Sequence, residues 1–148
     1  MYLLDNAYTL PAHKLPSARG QGDPLTSYFT PTPGAHFIAA VIGDPDDLYL
    51  FSSNFGYGFV VRLGDMHANT KKGKAVLNVG KESLALPPVK ITSVDTDQIA
   101  AVSSAGHLLV TPVAQLPQIA RGKGNKIINI PAKLLKAGDE LVIAISVV

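Results

Sequence analysis

An interval of about fifty residues, marked three separate times, constrains this chain more than any single residue in it. Gly22, Gly73 and Gly124 stand 51 residues apart in both steps. Each follows a basic stretch: Ala18-Arg19-Gly20-Gln21, Thr70-Lys71-Lys72 and Ala120-Arg121-Gly122-Lys123. Ser53-Asn54-Phe55-Gly56 and Ser103-Ser104-Ala105-Gly106 lie 50 apart. An acidic turn recurs as Gly43-Asp44-Pro45-Asp46-Asp47, Asp95-Thr96-Asp97 and Gly138-Asp139-Glu140. Three independent marks at one interval describe a tandem array, in which each unit buries its faces against its neighbours.

The segments between the marks read as strands. They are short, rich in Val, Ile, Leu, Phe and Tyr, and bounded by Gly, Pro, Asn and Asp. Strands are expected at residues 36–42, 48–51, 58–63, 75–79, 89–94, 98–102, 108–111, 127–130 and 141–147. The first two of these, and likewise 89–94 with 98–102, flank acidic turns and are expected to pair as hairpins. Eleven prolines and 13 glycines leave no window for a long helix, beyond one turn near residues 134–136. The expected fold class is all-β, a propeller-like repeat of about three four-stranded blades in one domain, with approximate units 1–52, 53–103 and 104–148. Closed propellers need about four to eight blades. A partial disc is therefore expected, from a fragment of a longer protein.

Composition removes other classes. The longest apolar run, residues 37–42, falls far short of the ~20 residues that cross a bilayer. The N-terminus lacks the basic start of a secretory signal. No cysteine is present, which removes disulfides and thiolate metal sites and fits a cytoplasmic location. The four histidines have no metal-ligand spacing, so no metal site is expected. Asp65 and His67 lack a Gly-x-Ser-x-Gly nucleophile. Gly122-Lys123-Gly124-Asn125-Lys126 lacks the spacing of a phosphate loop and the Ser or Thr that would hold magnesium. No catalytic residue and no cofactor is assigned.

The net charge of +2 says little; the placement of charge says more. Four lysines and no acid lie between Lys71 and Lys81, and five basic residues and no acid between Arg121 and Lys136. Glycine beside a cation lets backbone N–H groups approach a phosphate closely. One positive rim is expected, with negative turns apart from it. The expected contacts to duplex DNA are Arg19, Lys71, Lys72, Lys74, Arg121, Lys123 and Lys126, followed by Lys14 and Arg62. Lys81, Lys90, Lys133 and Lys136 read as ordinary surface charges, and Tyr57 as a core or turn aromatic. Phosphate contacts without base readout imply weak sequence preference and strong salt dependence. The competing reading is a propeller-type module that docks an acidic protein partner.

Three stretches resemble a known family. They are Leu15-Pro16-Ser17-Ala18-Arg19-Gly20-Gln21-Gly22, Phe55-Gly56-Tyr57-Gly58-Phe59-Val60, and the sixteen residues Leu116-Pro117-Gln118-Ile119-Ala120-Arg121-Gly122-Lys123-Gly124-Asn125-Lys126-Ile127-Ile128-Asn129-Ile130-Pro131. They are similar to the C-terminal DNA-binding region of the A subunit of bacterial type IIA topoisomerases, nearer topoisomerase IV than gyrase. The resemblance implies a β-pinwheel whose blades exchange strands and whose basic rim bends DNA in support of relaxation and decatenation by the holoenzyme. It also implies that strand cleavage and the use of Mg2+ and ATP belong elsewhere in that holoenzyme. The implied partners are the N-terminal cleavage region and the ATPase subunit, and the implied setting is the cytoplasmic nucleoid. The gyrase heptapeptide Gln-Arg-Arg-Gly-Gly-Lys-Gly matches Gln118 to Gly124 at four of seven positions. Ile119 and Ala120 stand where gyrase has its paired arginines, which favours the topoisomerase IV role over gyrase-like wrapping.

Overall fold

A computed structural model describes residues 5–16, 19–80 and 82–148. Ala18 of the first basic stretch, the Ser17 before it, and Lys81 lie outside the described residues.

The chain builds its hairpins at the Ser-x-x-Gly marks. Strands β2 (Leu48–Ser52) and β3 (Tyr57–Arg62) pair antiparallel from Leu48↔Arg62 to Ser52↔Gly58. Strands β6 (Gln98–Ser103) and β7 (Leu108–Pro112) pair from Gln98↔Pro112 to Val102↔Leu108, which is the same register 50 residues on. Each turn closes alike: Gly56 N–H donates to Ser53 O at 3.0 Å and Gly106 N–H to Ser103 O at 2.9 Å. Both glycines have φ near +85°, at 85° and 86°.

The acidic turns do a different job, and here the expected hairpins are corrected. Asp47 Oδ2 accepts the N–H of Asp44 at 3.0 Å, and Asp97 Oδ2 accepts those of Thr92 and Ser93 at 2.7 and 3.0 Å. A carboxylate that caps its own turn needs no strand partner across it. The chain passes through these turns from one sheet into the next. Thus β5 (Val89–Ile91) pairs back with β2 rather than forward with β6, and β9 (Val142–Val147) pairs back with β6. Strands β4 (Lys74–Leu77) and β8 (Asn125–Lys126) are likewise exchanged into earlier units. β4 pairs with β1 (Asp5–Ala7) through Asn6↔Ala75 and Ala7↔Lys74. β8 pairs with β3 through Tyr57↔Lys126 and Gly58↔Asn125, each position shifted by 51.

The result is three sheets, ordered β1-β4, β5-β2-β3-β8 and β7-β6-β9, of which the middle one has four strands. Because side chains alternate along a strand, the central sheet is buried on both faces. Leu50 and Val60 enter one core with Ile99, Ala101 and Val142 of the third sheet. Tyr49, Phe59 and Val61 enter a second with Val76 and Leu77 of β4. The fold is all-β, as expected, with one short helix, α1 (Ala132–Ala137), closed by Gly138 at φ 73°.

Two expected strands fail in instructive ways. Residues 36–42 form no strand, and Ile42 is 83% exposed. By the repeat they stand where β5 stands, but no described strand occupies the place that β2 takes beside β5. Apolar sequence without a ladder partner does not make a strand. Residues 127–130 lie beyond the end of β8; Ile127, Ile128 and Ile130 instead plug the first core as irregular chain.

Candidate nucleic-acid interface

The basic marks occupy the corners where exchanged strands begin. At the first of two such corners, Thr70 O accepts the N–H of Gly73 at 3.1 Å, and β4 starts at once. Gly73 has φ 76° and a Cβ there would lie 2.8 Å from Ala7 O. At the second, Gly124 has φ 80° and a Cβ would collide with Gly58 O. Ala7 and Gly58 are themselves 51 apart, so both corners press glycine against the same position of the receiving strand. Only a residue without Cβ allows that approach with positive φ.

Backbone bonds pin these corners while their charged ends stay in water. Lys71 O accepts Thr30 N–H at 2.8 Å and Lys72 O accepts Asn6 Nδ2 at 3.4 Å. Gly122 is laced to the edge of β4, accepting Asn78 N–H at 2.7 Å and donating to Val76 O at 2.9 Å. Ile119 N–H donates to Val60 O at 3.0 Å, so residues 117–122 bridge the central sheet and the first. The two corners therefore stand at opposite ends of β4. Lys72 lies five residues before Leu77, which bridges to Gly122, and β4 makes up most of that path, giving a spacing of roughly 15 Å. That is about half of one ~34 Å turn of duplex DNA.

The cations sort into two groups. Arg62 is held by Asp46 at 3.0 Å and Asp65 at 3.3 Å, and these carboxylates raise its pKa, Asp65 most. Lys90 is paired with Asp47 at 3.3 Å, and Lys74 Nζ donates to Asp65 O at 2.6 Å. Arg19, Lys71, Lys72, Arg121, Lys123 and Lys126 are exposed, and none forms an ion pair among the described residues. Lys126 Nζ donates to Asn129 Oδ1 at 3.1 Å, and Lys123 Nζ lies 3.9 Å from the centre of the Tyr57 ring. Lys14 is exposed at the end of a single 3-10 turn. Arg19 sits in a segment that differs from the other two corners. Its following residues, Asp23-Pro24-Leu25, form no strand, since Pro24 lacks the N–H that Ala75 has at the matching place.

Tyr57, expected as a core or turn aromatic, is only half-buried and carries the Lys123 ammonium over its ring. The register could have placed it at the corner, because the exchange that sets Ala75 opposite Asn6 sets Lys126 opposite Tyr57. The sequence reading passed over a buried carboxylate. Glu140 is 5% exposed and accepts Ser103 Oγ–H at 2.6 Å, with His107 Nδ1 at 2.7 Å. The serine hydroxyl is spent on the carboxylate rather than on the imidazole, so this is a clamp and not a nucleophilic triad. It ties the β6–β7 turn to the entry of β9. The Ser103 hydrogen bond, then that from His107, holds the Glu140 pKa below its ordinary value. A depressed carboxyl adds stability above the usual glutamate value of about 4.3, and that part is lost as pH falls through the lower folded value. Glu140→Gln is therefore expected to lose less stability than the native chain between pH 6 and pH 3, as read from urea midpoints. Parallel losses would assign the acid sensitivity elsewhere, to Asp47 first, whose pKa the Asp44 amide and Lys90 lower.

Among the described residues no group of three metal-ligating side chains is found, and no helix is long and apolar enough to cross a membrane. No protein-family profile matches the chain. The chain is similar to the DNA topoisomerase 4 A protein of Pseudomonas aeruginosa, with 46% identity over 90% of its length. It is 40% identical, again over 90% of its length, to the Escherichia coli K12 protein of the same name. It spans 18% of the length of each of these curated relatives. Among solved structures, the Escherichia coli ParC C-terminal domain superposes with a TM-score of 0.91 at 38% identity, covering 98% of this chain and 59% of that one. By sequence and by fold alike, the chain belongs to the family of C-terminal domains from the A subunit of topoisomerase IV and folds as their β-pinwheel.

Proposed function

We propose that this chain binds duplex DNA through its phosphates, without reading bases, and holds it bent across the two basic corners. One observation carries the reading. The exchange of β4 and β8 repeats in identical register, and each time it delivers exposed, unpaired cations beside a glycine that brings backbone close. A surface of that kind neutralises phosphates and releases counterions. The contacts are Lys71, Lys72, Arg121, Lys123 and Lys126, with Arg19 and Lys14 extending them. Lys74 and Arg62 serve the corners from behind, through their own protein partners. Bending 20–30 bp costs roughly 1–6 kcal/mol, so flexible sequences are favoured. Within a topoisomerase IV holoenzyme, this module presents a curved duplex to the N-terminal cleavage region and to the ATPase subunit, in support of relaxation and decatenation in the bacterial cytoplasm.

Titration of the chain with duplex DNA over a salt series tests this. The logarithm of the binding constant is expected to fall linearly with log salt, at about −0.9 per phosphate contact, or roughly −4.5 to −6.3 for five to seven contacts. A slope near zero would transfer the weight to the acidic-protein reading.

A further inference from the structure

Beside the second corner a cavity of about 250 Å³ opens between the β2–β3 turn, Val79, Gly80 and Ser83, and α1. Phe55, Tyr57, Val79 and Leu135 give it an apolar wall, and the cationic side chains of Lys123 and Lys136 line it as well. No carboxylate lines it among the described residues. Lys123 comes from the corner and is set over Tyr57; Lys136 arrives 13 residues later, in the last turn of α1. Two cationic side chains lining one concave, partly apolar surface focus a positive field, which an anion relieves. The volume equals roughly eight waters at ~30 Å³ each, room for more than a bare phosphate.

We propose that this cavity seats one DNA backbone phosphate with its deoxyribose, Lys123 and Lys136 taking the phosphate oxygens and the wall of Phe55, Val79 and Leu135 taking the sugar. The inference rests on the DNA reading above and adds Lys136 to it. Lys133, exposed on the same helix and absent from the cavity lining, is the internal control.

Duplex DNA is titrated over a salt series with the native chain, Lys136→Ala and Lys133→Ala, and circular dichroism checks each fold. Lys136→Ala is expected to reduce the steepness of the salt dependence by about 0.9, as one lost phosphate contact, and Lys133→Ala to leave it unchanged. Lys136→Gln, which keeps the apolar stem, is expected to lose as much. If the native chain shows steep salt dependence and Lys136→Ala matches it, the cavity assignment fails while DNA binding stands. If both lysine variants lose equally, the helix acts only as a diffuse charge and the cavity is again overturned. A native chain with no salt dependence sinks the DNA reading and the cavity with it.

Discussion

Gly124→Ala is expected to destabilise the fold by about 4 kcal/mol or more, whereas Gly106→Ala, at a similar backbone angle, is expected to lose only about 1–2. The two glycines have φ of 80° and 86°, so the conformational strain of adding a Cβ is shared. What separates them is space. A Cβ on Gly106 meets nothing within 4 Å, while one on Gly124 collides with the carbonyl oxygen of Gly58. That oxygen cannot turn aside, because Gly58 is paired with Ser52 on one side and Asn125 on the other. Relief requires β8 to leave β3, and with it Ile127, Ile128 and Ile130 to leave the core. A loss of this size is a large fraction of the roughly 5–15 kcal/mol that holds a typical domain together. Gly73→Ala should fall between the two, since its Cβ would stand 2.8 Å from Ala7 O and from the Tyr8 ring. Urea midpoints of the three variants, with unchanged slopes, check the ranking. Equal losses at Gly106 and Gly124 would mean that the corner is looser than the bridge between β3 and β8 requires.

The same corner explains how much could be read from the sequence. The interval of 51 is legible because Gly22, Gly73 and Gly124 share one backbone angle, near +76° to +80°, that other residues avoid. The hairpins at the Ser53–Gly56 and Ser103–Gly106 sites left an equally plain mark, and all-β class followed from strand composition. Strand exchange did not. Whether the chain turns back at an acidic turn or crosses to the next sheet depends on which edge is open there. Asp47 and Asp97 close their turns in either case. Residues 36–42 and 89–91 look alike as apolar runs, yet only the second has β2 to pair with. Among the cations, Lys71 and Lys72 differ from Lys74 by two or three positions, but alternation along β4 sends the last one to Asp65 O. Lys136 looked ordinary because its partner in the cavity, Lys123, is brought to it by the path of residues 124–131 and not by spacing.

Charge reversal at the second corner, Arg121→Glu with Lys123→Glu, is expected to weaken duplex binding by about two orders of magnitude at about 0.1 M salt and to do so alike for all sequences. Each phosphate contact contributes about 0.9 log units per tenfold change in salt, so two lost contacts give roughly 1.8 log units relative to a 1 M reference. Repulsion between the new carboxylates and the backbone adds to that. The fold should survive, because both side chains are exposed and the corner is held by main-chain bonds from Gly122 and Ile119. The contact of Lys123 with the Tyr57 ring is given up, worth about 0.5–1 kcal/mol at an exposed site. Reversal at the first corner, Lys71→Glu with Lys72→Glu, should match it, since the two corners are one design repeated in register. The four changes together should flatten the salt dependence by about 3.6, the sum of four contacts at about 0.9 each. Binding measured on several duplexes of different sequence separates the possibilities. A loss confined to particular sequences would reveal base readout, and a loss at one corner only would mean that the duplex touches a single edge of the disc and is not bent between two.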